Sequence, residues 1–220
     1  MRFALIYRTL VAAAAIAGFA QQALATPYVA STPTLTGGTL VGFDGYTTGT
    51  IISTQYAGVT FGQVDGGTPE IDNPSYLYGF HSGTQSGTGV LTGSTNGGAT
   101  FQTTAGLTAT FTVLQAAVQV YFSDTSTLGS YPITVFGASH NVIESVTLPD
   151  AGDDEDYVTF EEATADIASI QIGPSSAAND AFAIDDLSFG FPATKVPEPA
   201  SLVLLAGGLT LLGAMRRRRA

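Results

Sequence analysis

Thr108-Ala109-Thr110-Phe111-Thr112-Val113 and, a few residues on, Ala117-Val118-Gln119-Val120-Tyr121-Phe122 decide the fold. Both keep a period of two, the signature of a strand that buries one face. The link between them, Val113-Leu114-Gln115-Ala116-Ala117, has the composition of a helical turn, and nothing longer supports a helix. Outward from this centre the same pattern returns. It is present in Thr39–Phe43, Val59–Phe61, Ile133–Phe136, Val142–Leu148, Ile167–Ile172 and Phe182–Phe189. Strands are short, threonine and aromatic residues are common, and turn residues recur every ten residues or so. That spacing predicts an all-β sandwich. No fixed-period repeat is present, which disfavours a solenoid or propeller.

Charge is distributed unusually. All seven Lys and Arg residues, Arg2, Arg8, Lys195 and Arg216 to Arg219, lie near the two ends. Between Thr26 and Thr194 there is no Lys or Arg, yet seventeen of the eighteen Asp and Glu residues fall there. Such a domain must tolerate its own repulsion or recruit cations. Nucleic-acid binding is excluded, since phosphates need Lys or Arg. Cysteine is absent, so stability comes from the core, without disulfides or thiolate metal sites.

The ends read as targeting segments. Arg2 and Arg8, the apolar run Leu10–Ala20 and Ala23-Leu24-Ala25 follow the plan of a secretory signal peptide cleaved after Ala25. The run is too short to span a bilayer, which favours cleavage over anchoring. At the other end stand Val196-Pro197-Glu198-Pro199-Ala200, an apolar run to Met215, and Arg216-Arg217-Arg218-Arg219. The prolines keep the approach extended, the apolar run enters a bilayer, and the arginines stay cytoplasmic. This tail, Lys195 to Arg219, resembles the PEP-CTERM domain, the recognition signal of exosortases in exopolysaccharide-producing Gram-negative bacteria. The resemblance implies signal peptidase and exosortase as processing partners. It implies transient residence in the inner membrane, cleavage near Pro197-Glu198-Pro199, and a final place at the cell surface or in the extracellular matrix. The expected organisation is a signal peptide over 1–25, a linker over 26–36, a β-sandwich over 37–191, a linker with the Pro-Glu-Pro motif over 192–199, a transmembrane helix over 200–215 and an Arg-rich tail over 216–220.

A second resemblance concerns the sandwich. Phe43-Asp44, with Gly49–Phe61 after it, looks like the opening of jelly-roll ectodomains on PEP-CTERM proteins. Phe182-Ala183-Ile184-Asp185-Asp186-Leu187-Ser188-Phe189-Gly190 looks like their last strand and that of carbohydrate-binding jelly rolls. A single jelly-roll-like sandwich is thus expected, with its first and last strands adjacent. In carbohydrate-binding jelly rolls the corresponding region often holds a structural Ca²⁺, which makes Asp44, Asp185 and Asp186 candidate ligands. Strand alternation sends Asp185 and Asp186 to opposite faces. The alternative is that Asp185 accepts main-chain hydrogen bonds at a loop while Asp186 is solvated.

Other candidates carry less chemistry. Asp150–Asp156 lacks the oxygen and glycine positions of an EF-hand, and reads as a solvated charge run at a hairpin loop. His81 and His140 belong to no metal or nucleophile motif, and no Gly-x-Ser-x-Gly elbow or phosphate loop occurs. No catalytic residue is assigned, and a non-enzymatic role is expected. Tyr76, Tyr78 and Phe80 share one strand face, either as core or as a platform for pyranose rings. Two roles follow: a structural surface or matrix protein, or a calcium-dependent carbohydrate-binding module acting on exopolysaccharide.

Overall fold

The computed structural model describes residues 26–73, 85–93, 105–124, 129–148, 155–174 and 182–191. These form twelve strands and no helix: β1 (Tyr28–Ala30), β2 (Thr39–Val41), β3 (Val59–Gln63), β4 (Glu70–Asp72), β5 (Val90–Thr92), β6 (Leu107–Gln115), β7 (Ala117–Asp124), β8 (Tyr131–Phe136), β9 (Val142–Leu148), β10 (Glu155–Glu161), β11 (Ile167–Ile172) and β12 (Phe182–Phe189). One sheet runs β1-β10-β7-β12-β5-β4, with β2 also paired to β12; the other runs β3-β6-β11-β8-β9. The assigned pairings are antiparallel. The architecture is a jelly-roll-like sandwich. The expected opening strand, β2, meets the last, with Leu187 opposite Val41 and Phe189 opposite Thr39, while β1 before it pairs with β10.

The core lies between the sheets and is built by period two. Val118, Val120 and Phe122 of β7 face Tyr131, Ile133 and Val135 of β8, all essentially sealed from water. Phe122 stacks on Phe182 with ring centroids 5.7 Å apart, and Tyr131 packs edge-on to Phe182 at 5.4 Å. At the other end Phe43 meets Tyr56 and Phe61 edge-to-face at 5.7 and 5.6 Å. Each such aromatic contributes roughly 1.5–3 kcal/mol through burial. These contacts replace the salt bridges that the charge distribution forbids.

Three departures have physical causes. The helical composition at Val113–Ala117 is overridden: β6 continues to Gln115 and turns at Ala116 into β7. Between Thr110 and Gln115 its register against β11 slips, and Val113 and Leu114 are left exposed. Residues 26–36, expected as a linker, carry β1, which Tyr28 and Val29 register against Thr159 and Val158. The acidic run does not end as a solvated loop. Glu155 and Asp156 open β10, which pairs along its length with β7. The expected signal peptide, the tail from 192 onward, Tyr76, Tyr78, Phe80, His81 and residues 150–154 lie outside the described residues.

Candidate functional site

Asp44 follows β2 and Phe43, whose ring is fully buried and fixes the chain there. Its Oδ1 accepts main-chain N–H bonds from Thr88 (2.5 Å) and Gly89 (2.9 Å), and its Oδ2 lies 3.3 Å from Ser86 Oγ. Asp185 reaches the same loop from β12. Its Oδ2 accepts the N–H groups of Gln85 (3.1 Å) and Ser86 (3.0 Å), and its Oδ1 accepts that of Asp186 (2.8 Å). Ser86 Oγ donates to Asp186 Oδ1 at 2.7 Å. The three aspartates singled out by sequence therefore converge on one loop, residues 85–89.

Strict alternation fails at Asp186. Asp185 pairs with Tyr121 and Ser188 with Gln119, so two residues of β12 oppose Val120 alone, and Asp186 adopts φ 46°. Such a bulge re-aims a side chain, and both carboxylates reach the loop. The hydrogen-bonding alternative describes Asp185. Asp186, at 7 % exposure, is buried and not solvated. The approach is close enough to require glycine at Gly87, where φ is 49° and a Cβ would collide with the Asp44 carboxyl.

Electrostatics follow from burial. Asp185 is sealed from water, and desolvation pushes its carboxyl up to about 6; the Ser86 and Asp186 N–H groups oppose that rise, while the Asp186 and Asp44 charges add to it. Burial, then the Tyr46, Asp44 and Asp185 charges, push Tyr56 up to about 12. Its hydroxyl donates to the Gly42 carbonyl at 2.9 Å. Tyr157 is pushed to about 12 by burial and then by Asp186 and Asp185. Asp44 Oδ1 and both oxygens of Asp185 receive main-chain N–H groups, and Asp186 Oδ1 receives the Ser86 hydroxyl. Among the described residues no group of three or more His, Asp or Glu side chains is arranged to hold a metal.

Beside this clasp lies a cleft of about 340 Å³. Leu35 and Leu40 form apolar walls; Gln119, Tyr157, Asp186 and Ser188 supply polar groups. The segment before β2 is tied over the sheet by Thr34, whose Oγ1 accepts from Gln119 Nε2 and from the Tyr28 hydroxyl, each at 2.7 Å. Sequence reasoning did not name Gln119, Tyr157 or Ser86. The available signal was the second phase of β7, where Gln119 and Tyr121 alternate with the core valines.

Residues 195–219 match the PEP-CTERM protein-sorting motif. No curated protein matches the chain. Among solved structures, the K2 cleaved adhesin domain of Lys-gingipain is similar at 11 % identity, over 70 % of this chain and 98 % of that one, with a TM-score of 0.48. TmCBM61, solved with β-1,4-galactotriose, is similar at 11 % identity over 62 % and 90 % of the two chains, with a TM-score of 0.40. The CBM22-1 xylan-binding domain of Paenibacillus barcinonensis Xyn10C is similar at 10 % identity over 71 % and 96 %, with a TM-score of 0.36.

Proposed function

We propose that this chain is an exported protein, sorted by an exosortase to the cell surface or extracellular matrix, whose sandwich has a non-catalytic role there. The observation that carries this reading is the sorting-motif match at 195–219, a few residues after β12 closes the sandwich. The non-catalytic part is supported by the use to which the candidate acids are put: Asp44, Asp185 and Asp186 each accept a hydrogen bond from the loop of residues 85–89. A C-terminally tagged chain tests the sorting. It should lose the tag in a host with the cognate exosortase and keep it in a host without one. Equal retention in both leaves a simple tail anchor and sinks the proposal.

A second reading, glycan binding, is favoured by the cleft at Leu40. Apolar walls with a few placed polar groups suit a sugar, which offers C–H faces and hydroxyls together. Tyr157, held protonated by its surroundings, keeps its O–H. An anionic exopolysaccharide would need Ca²⁺ to bridge the acidic surface. A glycan-binding assay with and without calcium, repeated on Leu40→Asp, distinguishes this role from a purely structural one. Binding that ignores Leu40→Asp would remove the cleft from the account, and release of reducing sugar would point to an enzyme instead.

A further inference from the structure

The chain leaves the sandwich at a fixed exit. Gly190, just past β12, donates its N–H to Gln115 Oε1 at 2.7 Å. The Phe191 ring lies so close to Gly38 that a Cβ there would sit 3.0 Å from it. Phe191 also forms one wall of a second pocket, of about 240 Å³, which shares Leu35 with the cleft at Leu40. Its other walls include Thr34, Leu35, Ala116 and Ala117, where β6 turns into β7, and Glu161, the last residue of β10. These walls are tied to one another. Thr34 Oγ1 accepts from Gln119 Nε2 at 2.7 Å, Glu161 registers against Ala117, and the Glu162 N–H bonds the Ala116 carbonyl at 2.7 Å.

The pocket joins apolar walls to the charge of Glu161, which is half-buried. Glu162 beside it is acidic too, and no Lys or Arg occurs between Thr26 and Thr194 to answer them. The first basic residue after Arg8 is Lys195, which follows Phe191 through Pro192-Ala193-Thr194, a stretch with no charge of its own. Arg216 to Arg219 come only after the apolar run. Four extended residues span about 14 Å, and the chain starts from the pocket wall itself, so Lys195 is within reach of the pocket. Its chemistry also matches. A lysine lays its hydrocarbon stem on apolar surface and keeps its ammonium at the polar edge, here Leu35, the two alanines and Phe191 for the stem and Glu161 for the charge.

We propose that the linker after β12 docks back on the sandwich, with Lys195 in this pocket and its ammonium paired with Glu161. The contact would tie the exit of β12 to the segment before β2 and to the end of β10. Pro197-Glu198-Pro199 begins two residues beyond the docked lysine. The folded sandwich, and not a free linker, would then set where that motif is presented for cutting. This consequence rests on the sorting reading; the docking does not.

The test is trypsin digestion of the native full chain in detergent. Trypsin cuts after Lys and Arg, and Lys195–Val196 is the one such bond between Arg8 and the tail arginines. Cutting there is followed by intact mass, at low and high NaCl, for wild type and Glu161→Gln. Cleavage of a transiently opened segment tracks the population of the open form, so the wild-type bond should be cut about tenfold more slowly than the variant's at low salt. Salt screens an exposed pair, so high NaCl should bring the wild-type rate toward the variant's. Glutamine keeps the shape of a half-buried strand-end residue, so the variant should fold; the salt response of the wild type is read independently of it. Equal rates in the two proteins overturn the proposal, whether fast, with the pocket open to solvent, or slow, with another part of the chain in it. A wild-type rate that salt leaves unchanged overturns it as well. Neither result touches the sorting account, which is read from loss of the tail in an exosortase-bearing host.

Discussion

Asp185→Asn separates two opposed forces on one buried carboxyl. The side chain is inaccessible to water and accepts three main-chain N–H groups, those of Gln85, Ser86 and Asp186. Asparagine keeps one acceptor oxygen and turns an NH₂ toward a donor, leaving at least one N–H unpaired at about 1–3 kcal/mol. Against that stands the cost of ionising the aspartate. Its carboxyl rises from 3.8 to about 6, so the native state binds more protons than the unfolded state between those values, and wild-type stability falls as pH rises through them. The whole cost is about 3 kcal/mol, and each pH unit below the folded value carries about 1.4 kcal/mol. Working at pH 5 to 8 keeps the protein above its isoelectric point near 4.2 and captures roughly 1.4 kcal/mol of the effect. Urea unfolding of both proteins in low salt and chelator should show the variant less stable at pH 5, with the gap narrowing by about that amount at pH 8. The other acids are common to both chains and cancel. A gap that stays constant or widens with pH would refute the reasoning, because the three donors would then outweigh desolvation.

Other perturbations test neighbouring parts. Glu144→Gln in chelator should flatten the fall in stability between pH 4.5 and about 7, since the wild-type carboxyl is raised to about 7 and loses its stabilising proton across that window; an unchanged pH profile would mean that Glu144 is solvated. Gly87→Ala should lower the urea midpoint by roughly 1–3 kcal/mol of stability, from positive φ and collision with the Asp44 carboxyl, and a neutral result would contradict the clasp geometry. Phe122→Ala should cost about 3–5 kcal/mol through the cavity left against Phe182 and Tyr131; a loss below about 1 kcal/mol would show that the two sheets do not meet there.

How far the sequence carried the fold can be traced residue by residue. β12 was legible because Phe182, Ile184, Leu187 and Phe189 are core residues in a strand-like pattern. Its bulge was not, because a bulge is a property of the pairing with β7 and leaves no local signature. Hence all three aspartates were named, while the loop they hold and the shared direction of Asp185 and Asp186 were not. β10 was hidden by the run of acids from Asp153 to Asp156, whose charge reads as a loop; Tyr157, Val158 and Phe160 supply its buried side chains. β1, β4 and β5 have three residues each, too few to show a period. Glu144 keeps the phase of Val146 and Leu148 in β9, so its inward direction is legible in the alternation; the register slip beyond it, at Val135–Phe136, is what displaces Val142 into solvent.

Intact-mass analysis of the chain recovered from the surface or medium of an exosortase-bearing host tests the sorting account most directly. The account predicts a species that begins at Thr26 and ends near Pro197-Glu198-Pro199, without Arg216 to Arg219. A recovered chain that still carries those four arginines would contradict it.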